Sequence, residues 1–409
     1  MQQRLLDPDC RLVTILGPGG VGKTRFALAL ATQILDYGLR RVPVSGADSG
    51  DMDGNSRFPD GVWFTPLAGV SNTLQLPQAI AASLGVRLEG QSTPRQELLD
   101  YLHSKQLLLV LDNYEHLMGD ALLVDEILQS ANGVKIVVTS RERLNFQKEW
   151  VYELSGLPFP SVQRGRQPVA TEITANESEQ YGAVQLFLDR AHRFSHFHTT
   201  PTNLAAIQRI CQLVEGYPLG IELAAALIGM MPLPDIVQEI ESGIDILATT
   251  MRDLPDRHRS LRAVFDSSWE SLRPPERAVM ARLAIFRGGF DWRAAQSVAQ
   301  SSRLDLAGLL NKSMLSLTPA GRYEVHELLR QYAWARVEDR NDVQQAHARY
   351  FANFVETRKG QLRGEAQKQA ISEFESEIEN LRLAWAWSIE QADSDLLGRF
   401  YRGLALYFE

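Results

Sequence analysis

The sequence predicts an α/β domain with a doubly wound parallel sheet, followed by a mainly helical region. Apolar strand-like segments alternate with helical segments between residues 11 and 157, which is typical of parallel sheets. No comparable buried strand follows the polar, proline-containing stretch at 158–179. A chain of 409 residues is also too long for one compact core. We therefore expect four domains, at 1–158 (α/β), 176–250 (helical), 255–342 (winged helix) and 343–409 (helical).

The α/β domain should contain five strands. Two of them, at 106–112 and 134–140, are continuous apolar runs, as expected for central strands covered on both faces. After the first strand, Phe26, Leu30 and Ile34 recur at helical spacing, and Gly38 should close that helix. The predicted strands are 11–16, 61–67, 106–112, 134–140 and an edge strand beginning at 149.

The second half of the chain has helical patterns throughout except at one hairpin. Short helices at 261–272, 275–286, 291–300 and 304–313 precede the segment MLSLTPAGRYEVHE, whose turn should lie at 319–321. Helices followed by a hairpin are typical of a winged helix. From residue 343 onward the pattern is helical, which suits either the start of a TPR-like solenoid or a single helical bundle.

A glycine-rich turn lies between the first strand and the first long helix. Residues 17–24, GPGGVGKT, fit the P-loop pattern G-x-x-x-x-G-K-[ST]. Glycines let backbone N–H groups curl around a β-phosphate, and the helix start adds a positive dipole end. Lys23 would bring its charge to the β- and γ-phosphates, and the Thr24 hydroxyl would ligate Mg²⁺. The motif predicts a P-loop NTPase domain that binds ATP or ADP with Mg²⁺.

Two later strands end in residues suited to the same site. Asp112 closes the strand LLLVLD, a position from which a carboxylate reaches the metal. Asn113 follows it, and an amide cannot take a proton, so we expect slow hydrolysis. Glu115 is either a substitute base or a solvated residue at a helix start. Arg141, after the next strand, either reaches the γ-phosphate or begins a surface loop.

The motif order resembles one branch of signal-transduction ATPases. GPGGVGKT, LLLVLDN, VVTSRERL and EGYPLGIELAA are similar to motifs of the NB-ARC branch of the STAND ATPases. FRGGFDWRAA and YEVHELLRQYA resemble its winged-helix domain. The branch includes plant disease-resistance proteins, apoptotic-protease activators and large bacterial LuxR-type regulators. The resemblance covers roughly residues 11–345.

The resemblance implies roles for residues far from the P-loop. Pro218 stands where the family's proline packs on adenine, and His326 where a histidine contacts the ADP β-phosphate in the resting form. Glu327 replaces the aspartate usually found after that histidine, and no segment before Arg11 matches the family's upstream adenine contact.

The P-loop pattern and the resemblance together give the expected site. Catalytic roles fall to Lys23, Asp112 and Arg141, and Mg²⁺ ligation to Thr24 and Asp112. The nucleotide would be held by Gly17, Gly19, Gly20, Val21, Gly22, Lys23, Thr24, Arg25, Pro218 and His326.

The expected function is a molecular switch. The resemblance implies a closed form holding ADP, and ATP exchange that permits self-oligomerisation and activates an attached effector. It also implies an effector domain before this chain and a sensor after it. The alternatives are a conventional ATPase and a transcription regulator that binds DNA through its own winged helix.

Charge and composition bear on these alternatives. Net charge is −8, and residues 255–340 carry 14 Lys plus Arg against 10 Asp plus Glu, a surplus of +4 that leaves −12 elsewhere. The arginines are interleaved with acids along every helix, so we do not expect direct DNA binding by this chain. Two isolated cysteines and the absence of a long apolar run predict a cytoplasmic protein with no membrane partner.

Three histidines close together resemble the start of a metal site. His192 and His196 have i, i+4 spacing, and His198 follows. A surface helix end is the favoured interpretation of this cluster.

Overall fold

The computed structural model describes most of the chain in two compact units, Met1–Ser155 and Gly156–Glu409. The described residues are 1–5, 7–39, 58–88, 90, 92–160, 180–193, 197–248, 259–363 and 366–408. Most of the predicted loop at 42–60, most of the linker at 158–179 and the predicted domain limits at 176, 250 and 255 lie outside them. The predicted domain boundaries therefore stay predictions.

The first unit contains a five-stranded sheet in which every pair is parallel. The strands are β1 (Leu12–Leu16), β2 (Val62–Pro66), β3 (Leu108–Asp112), β4 (Lys135–Ser140) and β5 (Glu149–Glu153). Their order is β2-β3-β4-β1-β5, with β5 at one edge. Because β4 lies between β1 and β3, the carboxyl ends of these three strands are neighbours. The predicted parallel sheet is confirmed.

Helices cover both faces of this sheet. They are α1 (Gln2–Leu5), α2 (Lys23–Leu39), α3 (Leu76–Ser83), α4 (Pro94–Leu102) and α5 (Leu122–Ser130). In β3, Leu109 and Leu111 belong to the core under α3–α5, whereas Leu108 and Val110 belong to the core with α2. This alternation explains why the strand is apolar at every position before Asp112. Gly38 does not close α2, which runs one residue further.

In the described residues the second unit is helical apart from one hairpin. Its helices are α6 (Gly182–Ala191), α7 (Pro201–Leu213), α8 (Pro218–Ala226), α9 (Leu233–Ser242), α10 (Leu261–Glu270), α11 (Pro274–Leu283), α12 (Trp292–Ala299), α13 (Arg303–Asn311), α14 (Glu327–Trp334), α15 (Arg340–Arg358), α16 (Gln367–Glu390) and α17 (Ser394–Phe408). None of the described helices is both long and apolar enough to span a membrane.

The hairpin lies between α13 and α14. Strands β6 (Ser316–Leu317) and β7 (Tyr323–Glu324) pair antiparallel, and Gly321 takes φ +75° in the turn, where the sequence predicted it. Phe290 forms an isolated antiparallel bridge with Tyr323, next to this hairpin. This is the order of elements from which the winged helix was predicted.

A buried polar network ties the hairpin to α16. Arg322 Nη1 donates to Glu377 Oε1 at 2.6 Å. Asn380 Nδ2 donates to Glu377 Oε2 at 2.8 Å and to the Gly289 carbonyl at 3.0 Å. Because Glu377 and Asn380 are buried and their polar groups are satisfied, this network fixes the hairpin region to α16.

Candidate functional site

The P-loop follows β1 and turns directly into α2. Gly20 and Gly22 adopt φ +83° and +97°, which side chains rarely tolerate. At Gly17 the limit is space, since a Cβ would lie 2.9 Å from the Leu154 carbonyl oxygen and 3.0 Å from Val21 Cγ1. The glycine pattern therefore has a local steric cause in three of its four positions.

Lys23 begins α2 and is only 9% exposed. Its Nζ donates to the carbonyls of Gly17 at 2.7 Å and Pro18 at 3.0 Å. Burial lowers the pKa of Lys23 to about 8, with Glu115 opposing and Arg141 reinforcing that shift. The ammonium is thus a desolvated cation inside the loop that carries the phosphate-binding pattern.

Thr24 and Asp112 meet at one point of the sheet edge. Thr24 Oγ1 donates to Asp112 Oδ1 at 2.8 Å, and Thr139 Oγ1 donates to the same oxygen at 2.6 Å. Thr139 Oγ1 also accepts from the Asn113 N–H at 2.9 Å. Hydroxyl and carboxylate oxygens are the ligands that Mg²⁺ prefers. The adjacent Thr24 and Asp112 oxygens therefore fit a Mg²⁺ site.

The residues after Asp112 take different directions. Asn113 has φ +66°, and its Nδ2 lies 3.3 Å from His116 Nδ1. Glu115 instead forms an ion pair with Arg141, Oε1 to Nε 3.1 Å, with side chains only 17% and 13% exposed. Of the two interpretations left open for Glu115, the structure excludes a freely solvated residue. It also places Arg141 against a carboxylate rather than in a free surface loop.

In the second unit, the Gly-Tyr-Pro-Leu motif joins α7 to α8. Gly216 has φ +68°, and a Cβ there would collide with the Leu157 carbonyl oxygen. The Gly216 carbonyl in turn accepts from the Leu157 N–H at 2.8 Å. Pro218 is the first residue of α8, where its missing N–H costs nothing. Tyr217, only 1% exposed, packs into the unit's core.

His326 lies against this motif. Its ring meets Tyr217 edge-on with centroids 5.0 Å apart. Nδ1 accepts from the Leu328 N–H at 3.3 Å, and Nε2 lies 3.6 Å from Glu215 Oε2. Burial lowers the pKa of His326, with Glu215 opposing. Because Nδ1 accepts, the neutral ring carries its proton on Nε2, on the Glu215 side.

Glu327, at the position where the resembled family has aspartate, is fixed within its own helix. Arg330 donates to both of its oxygens, Nε to Oε2 at 2.8 Å and Nη2 to Oε1 at 2.7 Å. Gln331 Nε2 adds a third bond to Oε1 at 3.1 Å. The carboxylate is therefore held by hydrogen bonds from side chains of its own helix, α14.

The remaining predicted nucleotide contacts differ in exposure. Gly19 and Val21 are buried in the loop, whereas Arg25 is exposed on the first turn of α2. The first unit thus brings Lys23, Thr24, Asp112 and Arg141 together, and the second brings the Pro218 motif to His326. The sequence did not reveal the contact of Thr139 with Asp112, nor those of Tyr217 and Glu215 with His326. A threonine at the strand tip was the one available signal.

The histidine cluster shows no metal geometry in the part of the chain that is described. His192 and His198 are exposed, and His192 Nε2 lies 3.3 Å from Thr199 Oγ1. His196 lies outside the described residues. No group of three or more potential ligands occurs among those that are described.

Comparison with known proteins gives two kinds of relative. The chain is 31% identical over 401 residues to a Mycobacterium tuberculosis protein provisionally named an HTH-type transcriptional regulator, covering 95% of this chain and 41% of that protein. It therefore spans about two fifths of that relative's length. It is also 28% identical over 362 residues to an uncharacterised M. tuberculosis protein, covering 85% of this chain and 81% of that one. No protein-family model matches.

Solved structures give looser matches. A STAND protein with a tetratricopeptide repeat sensor from Pyrococcus horikoshii aligns with 99% of this chain and 51% of its own, at 14% identity and TM-score 0.28. The Aeropyrum pernix ORC2 protein, in ADPNP–ADP complexes, aligns with 82% of this chain and 88% of its own, at 11% identity and TM-score 0.40. The parallel sheet, its strand order and the loop between β1 and α2 themselves assign the first unit to the doubly wound P-loop NTPase fold.

Proposed function

We propose that this chain binds ADP or ATP with Mg²⁺ at its P-loop and uses the nucleotide as a molecular switch. The observation that carries the proposal is the joining of Lys23, Thr24 and Asp112 at one sheet edge, within hydrogen-bonding distance of each other or of the loop. A buried ammonium is costly unless it is paired. The Lys23 ammonium donates hydrogen bonds to two neutral carbonyl oxygens. A bound phosphate would give it a negatively charged acceptor.

Each residue has a definite task in this proposal. The P-loop N–H groups and Lys23 bind the β-phosphate, and Thr24 and Asp112 hold the metal, which neutralises phosphate charge when bound. Thr139 orients Asp112 through its hydroxyl. Two hydroxyl groups therefore hold Asp112 Oδ1 and fix the orientation of the carboxylate.

Slow hydrolysis is the expected catalytic behaviour. Asn113 cannot accept a proton and is engaged with His116. Glu115 is a further carboxylate of this site that could orient an attacking water, and it is ion-paired with Arg141. We infer that the γ-phosphate competes with Glu115 for Arg141, so that Glu115 acts only after that ion pair has opened. This competition would make hydrolysis slow, as expected for a regulatory switch and not for an enzyme with fast turnover.

The second unit would supply the resting lock. His326, Tyr217 and Glu215 already form one contact inside that unit. If the nucleotide also binds Pro218 and His326, as the resemblance implies, its identity decides whether the closed arrangement persists. A ligand shifts such an equilibrium only through different affinities for the two states. ATP exchange would then permit self-oligomerisation.

The output we propose is transcriptional control. This rests on the provisional name of the 31% identical relative, which aligns with 95% of this chain. The hairpin and α11–α13 would act as a packing module in the closed form. The competing function, direct DNA binding by this chain, predicts a salt-sensitive shift of generic duplex DNA in a gel. We expect no shift at physiological salt.

The first experiment measures ATP and ADP binding by calorimetry. Lys23→Ala should abolish binding of both, whereas Lys148→Ala, which removes an exposed lysine of the same unit, should leave it unchanged. Equal affinity of wild type and Lys23→Ala would refute the site. Nucleotide released from the purified protein, identified by chromatography, should be ADP.

The second experiment tests the lock. His326→Ala should speed ADP dissociation about tenfold, the loss expected for one charge-assisted hydrogen bond, and change ATP binding less. His198→Ala removes an exposed histidine and serves as the control. Equal loss for ADP and ATP, or no loss, would exclude the lock role.

A further inference from the structure

A polar cavity of about 470 Å³ lies in the second unit, beside the start of α14. Its wall comes from the end of α9 and the turn that follows, from α10, from α14 and from the start of α15. Four arginines line it, namely Arg262, Arg287, Arg330 and Arg340, against three carboxylates, Glu241, Asp245 and Glu327. Which of these charges are already paired decides what the cavity can bind.

Two of the arginines are fully engaged. Arg262 donates to both oxygens of Asp245, at 2.5 and 2.7 Å. Arg330 donates to both oxygens of Glu327 and to the Ala284 carbonyl. A guanidinium group that already donates to both oxygens of a carboxylate has few donors left for another anion.

The third carboxylate is also taken, from outside the cavity. Glu241 Oε1 accepts from Nε and Nη2 of Arg209, at 2.9 and 2.6 Å. Arg209 does not line the cavity. Glu241 is therefore already paired, through Oε1, with a cation outside the cavity.

Arg287 is under-compensated. Its Nη1 lies 3.4 Å from Glu327 Oε1, an oxygen that already accepts shorter bonds from Arg330 and Gln331. Burial, and next the neighbouring Arg330, lower the pKa of Arg287. Two guanidinium groups thus contact one carboxylate, and a second carboxylate, Glu379, acts on Arg287 without forming an ion pair. The Arg287 side chain remains 46% exposed.

Arg340 is the second uncompensated charge. Its guanidinium lies over the Trp334 ring, 5.5 Å from the centroid, and no carboxylate among the described residues forms an ion pair with it. Stacking on an aromatic face leaves the planar N–H donors of a guanidinium directed outward. Arg340 and Trp334 both line the cavity.

We propose that this cavity binds a small phosphorylated molecule through Arg287 and Arg340. Guanidinium groups bind phosphate oxygens in a bidentate manner. A volume of about 470 Å³ lies within the range of small-ligand sites and suits a ligand of sugar-phosphate or nucleotide size.

The site is distinct from the P-loop, which belongs to the other unit. Glu327 is the first residue of α14 and follows His326. A phosphate that draws Arg287 away from Glu327 changes the charges facing the first turn of α14, the helix that begins directly after His326. The ligand would thereby act on the proposed lock without touching the P-loop.

The test uses the full chain carrying Lys23→Ala, so that P-loop binding is removed, with sodium pyrophosphate as the probe in calorimetry at fixed ionic strength. We expect binding at one site, weakened at least about tenfold by Arg287→Gln and by Arg340→Gln. Arg349→Gln is the matched control, because Arg349 is exposed on the same helix as Arg340 and does not line the cavity.

Three results would overturn the proposal: no pyrophosphate binding, binding that neither cavity variant weakens, or equal weakening by Arg349→Gln. The last result would mean that only general surface charge is sensed. Arg340 is exposed, so Arg340→Gln should fold normally, and its circular dichroism and unfolding midpoint should match those of Arg349→Gln. The outcome is independent of the P-loop assignment, because nucleotide binding by the wild-type chain is measured separately.

Discussion

Replacing Lys23 by methionine should stabilise the first unit while abolishing nucleotide binding. Lys23 is 9% exposed, and its pKa falls from 10.5 to about 8. At about 1.4 kcal/mol per unit, this shift means that keeping the charged ammonium in the folded protein costs about 3 kcal/mol. Methionine fills similar space without the charge. Losing the two bonds to the Gly17 and Pro18 carbonyls costs about 1 kcal/mol each.

The balance favours the variant by about 1 kcal/mol at pH 7. The pH dependence has a definite sign. Below pH 8 the lysine is charged in both the folded and the unfolded state, and the full penalty applies. Between pH 8 and 10.5 the folded protein loses the proton first, so the penalty fades. At pH 9.5 about 2 kcal/mol of it is relieved, and the wild type should become the more stable protein.

The two cysteines allow each unit to be followed separately. Cys10 is buried in the first unit and Cys211 in the second. Pulsed thiol labelling along a urea series, read by mass spectrometry of the two peptides, reports the unfolding of each. Lys23→Met should move only the Cys10 transition, upward at pH 7 and downward at pH 9.5. A lower Cys10 midpoint at pH 7, or a difference that does not change with pH, would refute the reasoning.

Three further predictions concern buried ionisable side chains. Glu276 is 1% exposed, and contacts with Arg273 and Lys312 outweigh burial to lower its pKa to about 2. Glu276→Gln should therefore destabilise the second unit by about 3 kcal/mol in urea unfolding at pH 7, and the wild-type advantage should fade as pH falls from 4.5 toward 2. Burial lowers the pKa of His347 to about 3. The second unit should accordingly lose about 1.4 kcal/mol per pH unit below pH 6.5, and His347→Met should remove that slope while other acid effects remain. Asp112→Asn should preserve the hydroxyl contacts and the fold, yet abolish the Mg²⁺ dependence of ATP binding measured by calorimetry; unchanged Mg²⁺ dependence would exclude Asp112 as a metal group.

The sheet was predictable because its central strands β3 and β4 are short, rich in apolar residues and buried at every position. A run such as LLLVLD suits only a strand that is covered on both faces. It therefore predicts a parallel sheet with helices on both sides. The P-loop was equally readable, since Gly20 and Gly22 need positive φ angles and Gly17 needs space. Helix ends were less certain. Gly38 only weakens a helix, and α2 continues past it.

Contacts across the sheet edge were not readable from the sequence. Nothing in the run after Asp112 shows that Asn113 turns toward His116 while Glu115 pairs with Arg141. The left-handed φ of Asn113 and the position of β4 decide this. The net charge of the cavity that contains Arg287 and Arg340 likewise depends on which carboxylates lie close enough to pair with its arginines.

The sequence by itself determined the kind of site: a phosphate-binding loop, a lysine and a threonine for a nucleotide, and an acid at the end of a later strand. Only the tertiary structure decided how these parts meet. Because β4 is inserted between β1 and β3, Thr139 lies beside Asp112 and orients it against Thr24, although 88 residues separate Thr24 from Asp112 in the chain. Strand order is a property of the packed sheet, and no local pattern of residues encodes it.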